Sequence, residues 1–205
     1  MGEITDIKPQ KRREGRVSVY LDEEFWTGMP QEVAGEHNLV IGQHLSDEKK
    51  SEVERQISEE SALMSATNLL SFRDRSEKEM RDRLKEKEYG EAVIDETIKR
   101  LHEYNYLDDQ AFARQMVEQQ LAKGRGRRAA QHALRQSGVD AELIEAAIAE
   151  AFQGESESDA ALLWLNRKPI PETSADRQKV LRSLASRGFS FDVAQEALRR
   201  HEASS

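Results

Sequence analysis

Displacing the sequence by 50 residues, without a gap, lays it over itself across three stretches. Leu84 falls on Leu134 and Leu184, and Met80 on Ala130 and Val180. Tyr89, Val139 and Phe189 share a column, as do Val93, Leu143 and Val193. Ile94, Ile144 and Ala194 follow, then Ile98, Ile148 and Leu198. The columns at 80 and 84, and again at 94 and 98, lie one helical turn apart, the spacing of an amphipathic helix face. A repeated unit of this kind cannot bury its apolar face alone, so copies must stack.

Helix starts follow the same period. Ser58, Asp108 and Ser158 form one column of side chains able to accept an orphan N–H at a helix start. Ser76, Gly126 and Asp176 form a second, and Gly90, Asp140 and Ser190 a third. Ser76 with Glu79 gives the Ser-x-x-Glu capping box. Gly138 and Gly188 stand where a helix ends in the left-handed conformation, with Glu88 as the exception. Three starts per period predict a mainly α chain: an elongated, curved array of three tandem three-helix repeats over residues 58–107, 108–157 and 158–205. The third is the least regular, because Pro169 and Pro171 cut its first helix short.

Residues 1–57 differ. Val17, Val19 and Leu21 alternate with Arg16, Ser18 and Tyr20, a half-buried strand. A return strand around Phe25 to Gly28 would complete a small β-hairpin, which must pack on something to be stable. Ser46 then caps a helix with acids in its first turn. The basic run from Lys8 to Arg16 reads as a polar lead-in to the strand rather than a DNA contact. Trp26 and Trp164 read as core.

Composition limits the chemistry. The chain has no cysteine, which excludes thiol chemistry and a disulfide framework and suits a reducing compartment. The start lacks the apolar run of a signal peptide, and no stretch approaches the ~20 apolar residues that span a bilayer. A cytoplasmic protein is expected. The five histidines are scattered with no metal-ligand spacing. Neither a P-loop nor a Gly-x-Ser-x-Gly pattern occurs. No catalytic residue, metal or cofactor is assigned, and an enzyme is not expected. The net charge is −8, of which residues 1–60 carry −6 and residues 61–205 carry −2. Such a balance argues mildly against a dedicated duplex-DNA binder.

Against that acidity stands Leu121–Leu134, with Lys123, Arg125, Arg127 and Arg128 and no acid. In the repeat register Gly126 is an N-cap, so Arg127 and Arg128 enter the first helical turn, where cations cost about 0.3–1 kcal/mol. One period earlier, Arg73 and Arg75 precede the corresponding start. A segment that breaks a local rule is a candidate site. Two readings stay open: a solvated helix start paired with neighbouring acids, or a contact for phosphate or carboxylate groups. Tyr104 and Tyr106 lie nearby; sealing a repeat junction fits them better than stacking on bases.

The order Arg73-Asp74-Arg75-Ser76-Glu77, Leu84, Leu101, Tyr106-Leu107-Asp108-Asp109, Phe112-Ala113, Gly126 and Leu134 resembles the RecX regulators of the bacterial RecA recombinase. The match is clear over residues 62–150 and looser over 156–205, and the start looks like the N-terminal β-module of longer members. The resemblance implies a non-catalytic, monomeric modulator. It would bind the RecA filament on single-stranded DNA, with single-stranded DNA itself as a further partner, and inhibit its ATPase and strand exchange or promote its disassembly. The basic clusters singled out above, Arg73, Arg75, Lys123, Arg125, Arg127 and Arg128, would then supply its contacts, either to the DNA backbone of the filament or to an acidic recombinase surface. The alternative is a helical-repeat protein that binds DNA directly.

Overall fold

The computed structural model describes residues 1–11, 13–152 and 156–203. They form two compact units. The first comprises Met1–Ser71 and Arg83–Leu101, the second Phe72–Asp82 and His102–Ser205.

The first unit carries a four-stranded antiparallel sheet rather than an isolated hairpin. Its strands are β1 (Gly2–Pro9), β2 (Arg16–Leu21), β3 (Glu24–Pro30) and β4 (His44–Leu45), in the order β3-β2-β1-β4. The expected alternation holds in β2: Val17, Val19 and Leu21 are buried with Ile4, Met29 and Leu45. The β2–β3 turn places Asp22 at φ 48° and Glu23 at φ 69°, where glycine or asparagine is usual. Strand β1 holds that turn: Glu3 N donates to Asp22 Oδ1 at 2.9 Å, and Glu23 N donates to Thr5 Oγ1 at 2.9 Å. The short helix α1 (Gln31–Glu36) follows β3 and buries Val33 against the same core.

Helix α2 (Asp47–Phe72) is continuous for 26 residues. Ser46 caps it, with Lys49 N donating to Ser46 Oγ at 3.2 Å. Ser58 is therefore not a helix start. Between 47 and 72 no glycine or proline interrupts the helix, and the N–H groups around Ser58 are already used by the preceding turn. Trp26 is partly buried on the sheet core and donates to Glu54 Oε1 of α2 at 2.8 Å. Within this unit, α4 (Glu91–Glu103) buries Val93, Ile94, Ile98 and Leu101, and Arg100 pairs with Glu60 of α2 at 2.7 Å.

The second unit begins with the first turns of α3 (Glu77–Lys85). It continues through α5 (Asp109–Ala122), α6 (Arg127–Gln136), α7 (Ala141–Ala151), α8 (Ser156–Leu165), α9 (Ser174–Ser186) and α10 (Phe191–Ala203). One core joins α5, α6 and α7 around Phe112, Leu134 and Ile148. A second joins α8, α9 and α10 around Leu165, Leu184 and Phe189. Leu121 packs against both.

The register is visible in burial. Leu84, Leu134 and Leu184 are fully buried, and Ile98, Ile148 and Leu198 nearly so. Glu88, Gly138 and Gly188 all have φ between 65° and 91°, so the non-glycine member adopts the same left-handed turn. Asp108 accepts from Gln110 N and Ala111 N, Asp140 from Glu142 N, and Ser190 from Val193 N. Two expected caps are displaced. Helix α8 already includes Ser158 in its first turn. Helix α9 is capped by Thr173, which accepts from Asp176 N at 3.2 Å, so Asp176 is the third residue of the helix. Thr173-x-x-Asp176 provides a closer oxygen one turn upstream, and the helix takes it.

Successive repeats meet end to end through their middle helices. Gly126 N, at the start of α6, donates to Arg187 O at the end of α9 at 3.0 Å. Arg128 N donates to Gly188 O at 3.1 Å. One repeat earlier, Ser76 Oγ at the start of α3 donates to Ser137 O at the end of α6. Each contact joins the positive end of one helix macrodipole to the negative end of another and satisfies groups that helix termini leave unpaired. The fit is close. A Cβ on Gly188 would lie 2.4 Å from Ala129 N, and one on Gly126 would lie 2.7 Å from Gly188 O.

Acids from the following repeat complete these helix starts. Asp109 Oδ1 accepts from Glu77 N at 2.8 Å, and Glu157 Oε1 accepts from Arg127 N at 3.0 Å. Burial, aided by the Glu77 carboxylate, holds the Asp109 carboxyl above its usual range. Burial also opposes ionisation of Glu77, but hydrogen bonds from Arg81 and His102 outweigh it and hold that carboxyl below its usual range.

Gly188→Ala should lose about 2–4 kcal/mol in chemical denaturation, from the left-handed backbone plus the clash. Gly15→Ala, at φ 73° with open space around it, should lose only the backbone part, about 1 kcal/mol. Asp109→Ala should cost about 1 kcal/mol at neutral pH by removing an acceptor. Asp109→Asn keeps the acceptor and removes a carboxylate whose ionisation the fold opposes, so it should leave the neutral-pH melting temperature unchanged or higher. Because the folded pKa of Asp109 is raised, its contribution favours folding at low pH and is lost as pH rises through that pKa. The Asp109→Asn advantage should therefore shrink as pH is lowered.

Candidate functional site

The six basic residues lie beside these joints. Arg73 and Arg75 occupy the link between α2 and α3, and Lys123 is the C-cap of α5. Arg125 follows in the link to α6, whose first turn holds Arg127 and Arg128. In the register, Arg73 and Arg75 stand where Lys123 and Arg125 stand one repeat later. Arg75 is half-buried and the other five are exposed.

Helix α6 has no acid of its own in the first turn and no side-chain cap. The acid comes from α8. Besides accepting from Arg127 N, Glu157 approaches the Arg127 guanidinium, with Nε–Oε2 at 3.9 Å. The guanidinium also lies 5.4 Å from the centre of the Phe152 ring. Arg127 is thus partly a structural residue, tied to the next repeat by charge, hydrogen bonding and a cation–π contact. Arg73 is bound to Glu79 Oε2 at 2.7 Å, and Arg125 reaches Gln120 Oε1 at 3.5 Å. Lys123 and Arg128 are exposed at opposite ends of the same short connection.

Glu157 and Phe152 are not singled out by sequence reasoning, and Asp109 enters it only as part of the motif that carries the resemblance. A signal was present for the two acids: each follows the start of a first helix, where an acid also suits the dipole. Its true target lies on another helix, which spacing does not reveal. The tyrosines also differ from expectation. Tyr104 and Tyr106 are 51% and 58% exposed and meet edge to face, with ring centres 6.0 Å apart. Both rings are thus largely open to solvent rather than buried in a junction, while the next residue, Leu107, is buried.

Among the described residues, no group of three or more His, Asp or Glu is placed to hold a metal ion. Among the same residues, no helix is long and apolar enough to cross a membrane.

Known families match along most of the chain. Residues 2–46 match the model of the regulatory protein RecX N-terminal domain. Residues 62–101, 108–148 and 164–198 match the first, second and third RecX three-helix domains. A regulatory protein RecX from Leuconostoc mesenteroides is 32% identical over 199 residues, covering 95% of this chain and 74% of the relative. One from Lactobacillus delbrueckii is 33% identical over 200 residues, covering 95% and 73%. A crystal structure of regulatory protein RecX superposes with a TM-score of 0.71 at 24% identity, covering 95% of this chain and 98% of that one. RecX from Lactobacillus salivarius does so with a TM-score of 0.63 at 21% identity, covering 71% and 97%. The sheet module, the helical repeats and these matches agree: the chain belongs to the RecX family of regulatory proteins.

Proposed function

We propose that this chain binds a RecA-type recombinase filament on single-stranded DNA and inhibits its ATPase and strand exchange. It acts in the cytoplasm as a monomer, without catalysis or cofactor. The observation that supports this reading is the repetition of cations, all but Arg75 exposed, beside successive helix joints. Arg73 and Arg75 flank one joint; Lys123, Arg125, Arg127 and Arg128 flank the next. Charge displayed at a fixed structural interval suits a partner that is itself periodic, such as a nucleoprotein filament. Single exposed ion pairs contribute ~0–1 kcal/mol, too little for specificity. Linked along a filament, each later contact forms at high effective concentration, so the assembled polymer is preferred over free subunits.

The recombinase ATPase on single-stranded DNA tests the reading. The wild-type chain should suppress it, and suppression should weaken as salt rises. Charge reversal at Lys123, Arg125 and Arg128 should raise the concentration for half-inhibition about tenfold or more, a loss of ~1.4 kcal/mol. Circular dichroism should stay unchanged, because all three side chains are exposed. Reversal at Arg127 is expected to lower the melting temperature as well, since Glu157 then faces a like charge. An ATPase indifferent to the wild-type chain would refute the reading. Tight, steeply salt-dependent binding to bare duplex DNA would favour a direct DNA-binding protein instead.

A further inference from the structure

Two adjoining hollows, of about 340 and 270 Å³, lie between the Arg73–Arg75 link and helix α5. Both are lined by Asp74, Phe112 and Gln115. One extends to Arg75, Asn105 and Tyr106, the other to Arg73, Met116 and Gln119. The groove thus has an apolar floor, amide groups along its length, an arginine at each part and a tyrosine at one mouth.

The second joint shows that this opening is not a general property of the repeat. Asp109 and Glu157 perform the same task for successive helix starts, which sets an offset of 48 residues between α5 and α8. At that offset Phe112 and Met116 correspond to Ala160 and Trp164. There the link closes onto the helix: a Cβ on Gly124 would lie 3.0 Å from Trp164 Cβ and 3.3 Å from Ala160 O. Arg187 and Lys168 lie over the Trp164 ring, at 4.8 and 5.5 Å. In the first joint Asp74 stands where Gly124 stands, no indole is present, and the space is open.

We infer that the α5 groove binds single-stranded nucleic acid, with bases stacking on Tyr104 and Tyr106 and the backbone passing Arg73 and Arg75. Exposed aromatic rings beside guanidinium groups are how single strands are held without sequence preference. Asn105, Gln115 and Gln119 can donate to or accept from any base edge. Two acids line the same groove. The Asp108 carboxylate is occupied by Gln110 N and Ala111 N. Asp74 is exposed, and its charge opposes the strand. The inference deepens the filament reading by naming the strand-binding surface, but it is measured without recombinase.

The test is fluorescence anisotropy of a labelled 20-nucleotide oligo(dT) with the full chain at low salt. Binding is expected, with affinity falling about tenfold or more in Tyr104→Leu/Tyr106→Leu and equally for an abasic strand of the same length. Asp74→Asn should tighten binding severalfold. Arg73→Gln/Arg75→Gln should reduce the salt slope by roughly 1.4. Helical circular dichroism checks that each variant folds. No binding of oligo(dT), or binding indifferent to the tyrosines and to base removal, overturns the inference. If oligo(dT) is not bound and the tyrosine variant still loses ATPase inhibition, the groove takes a protein side chain; the inference is then wrong while the filament reading stands. If oligo(dT) binds as described but the recombinase ATPase is unmoved, the groove assignment holds and the filament reading falls.

Discussion

The architecture of the second unit depends on one contact, the meeting of a helix start with the helix end of the following repeat. Each three-helix unit has a thin core, too small to fix its own orientation against a neighbour. Hydrophobic surface alone would let the units slide or rotate. Hydrogen bonds from Gly126 N and Arg128 N to Arg187 O and Gly188 O remove that freedom, because they are directional and join groups that would otherwise lack partners. The aligned dipoles of α9, α6 and α3 add a favourable term wherever two ends meet.

The same contact accounts for where the charge sits. Links into α3 and α6 must be short and must leave the backbone near the joint accessible to another helix end. Phe189 fills the buried side of the joint at Gly126, and long cationic side chains extend away from it into solvent. Arg127 shows how far the two demands overlap. It is a surface cation suited to a partner, and it also lies over Phe152 and against Glu157. Lys123 and Arg128 have more freedom to serve recognition, and Arg73 belongs to both categories through Glu79.

Much of this was legible in the sequence, for a physical reason. Burial and capping act on single residues at fixed helical spacing, so columns such as Leu84, Leu134 and Leu184 record them directly. Where an interaction joins distant segments the record is weaker. Strand β1 was missed because Glu3, Thr5 and Asp6 obscure its alternation, and because its pairing with the β2–β3 hairpin uses backbone groups and the Asp22 carboxylate. Ser58 matched a capping column by identity, yet cannot cap inside a helix that has already started at Asp47. Asp176 shared a column with Ser76, but Thr173 lies one turn upstream and competes for the role. The basic clusters were visible as composition, and the RecX resemblance placed them in context. The α5 groove was not visible, because it arises from the difference between Asp74 and Gly124 and between Met116 and Trp164 across two joints.

Helix α6 is held at both ends, its start against α9 and its finish against α3. Its length is therefore a ruler. One inserted residue would lengthen it by about 1.5 Å and turn its end by about 100°, so a register correct at Gly126 would be wrong at Ser137 and Gly138. Insertions and deletions should be absorbed instead where no such double anchorage exists, as in the Pro169–Pro171 segment after α8. Through the lineage of this chain, α6 should keep a constant number of residues even while its exposed side chains drift.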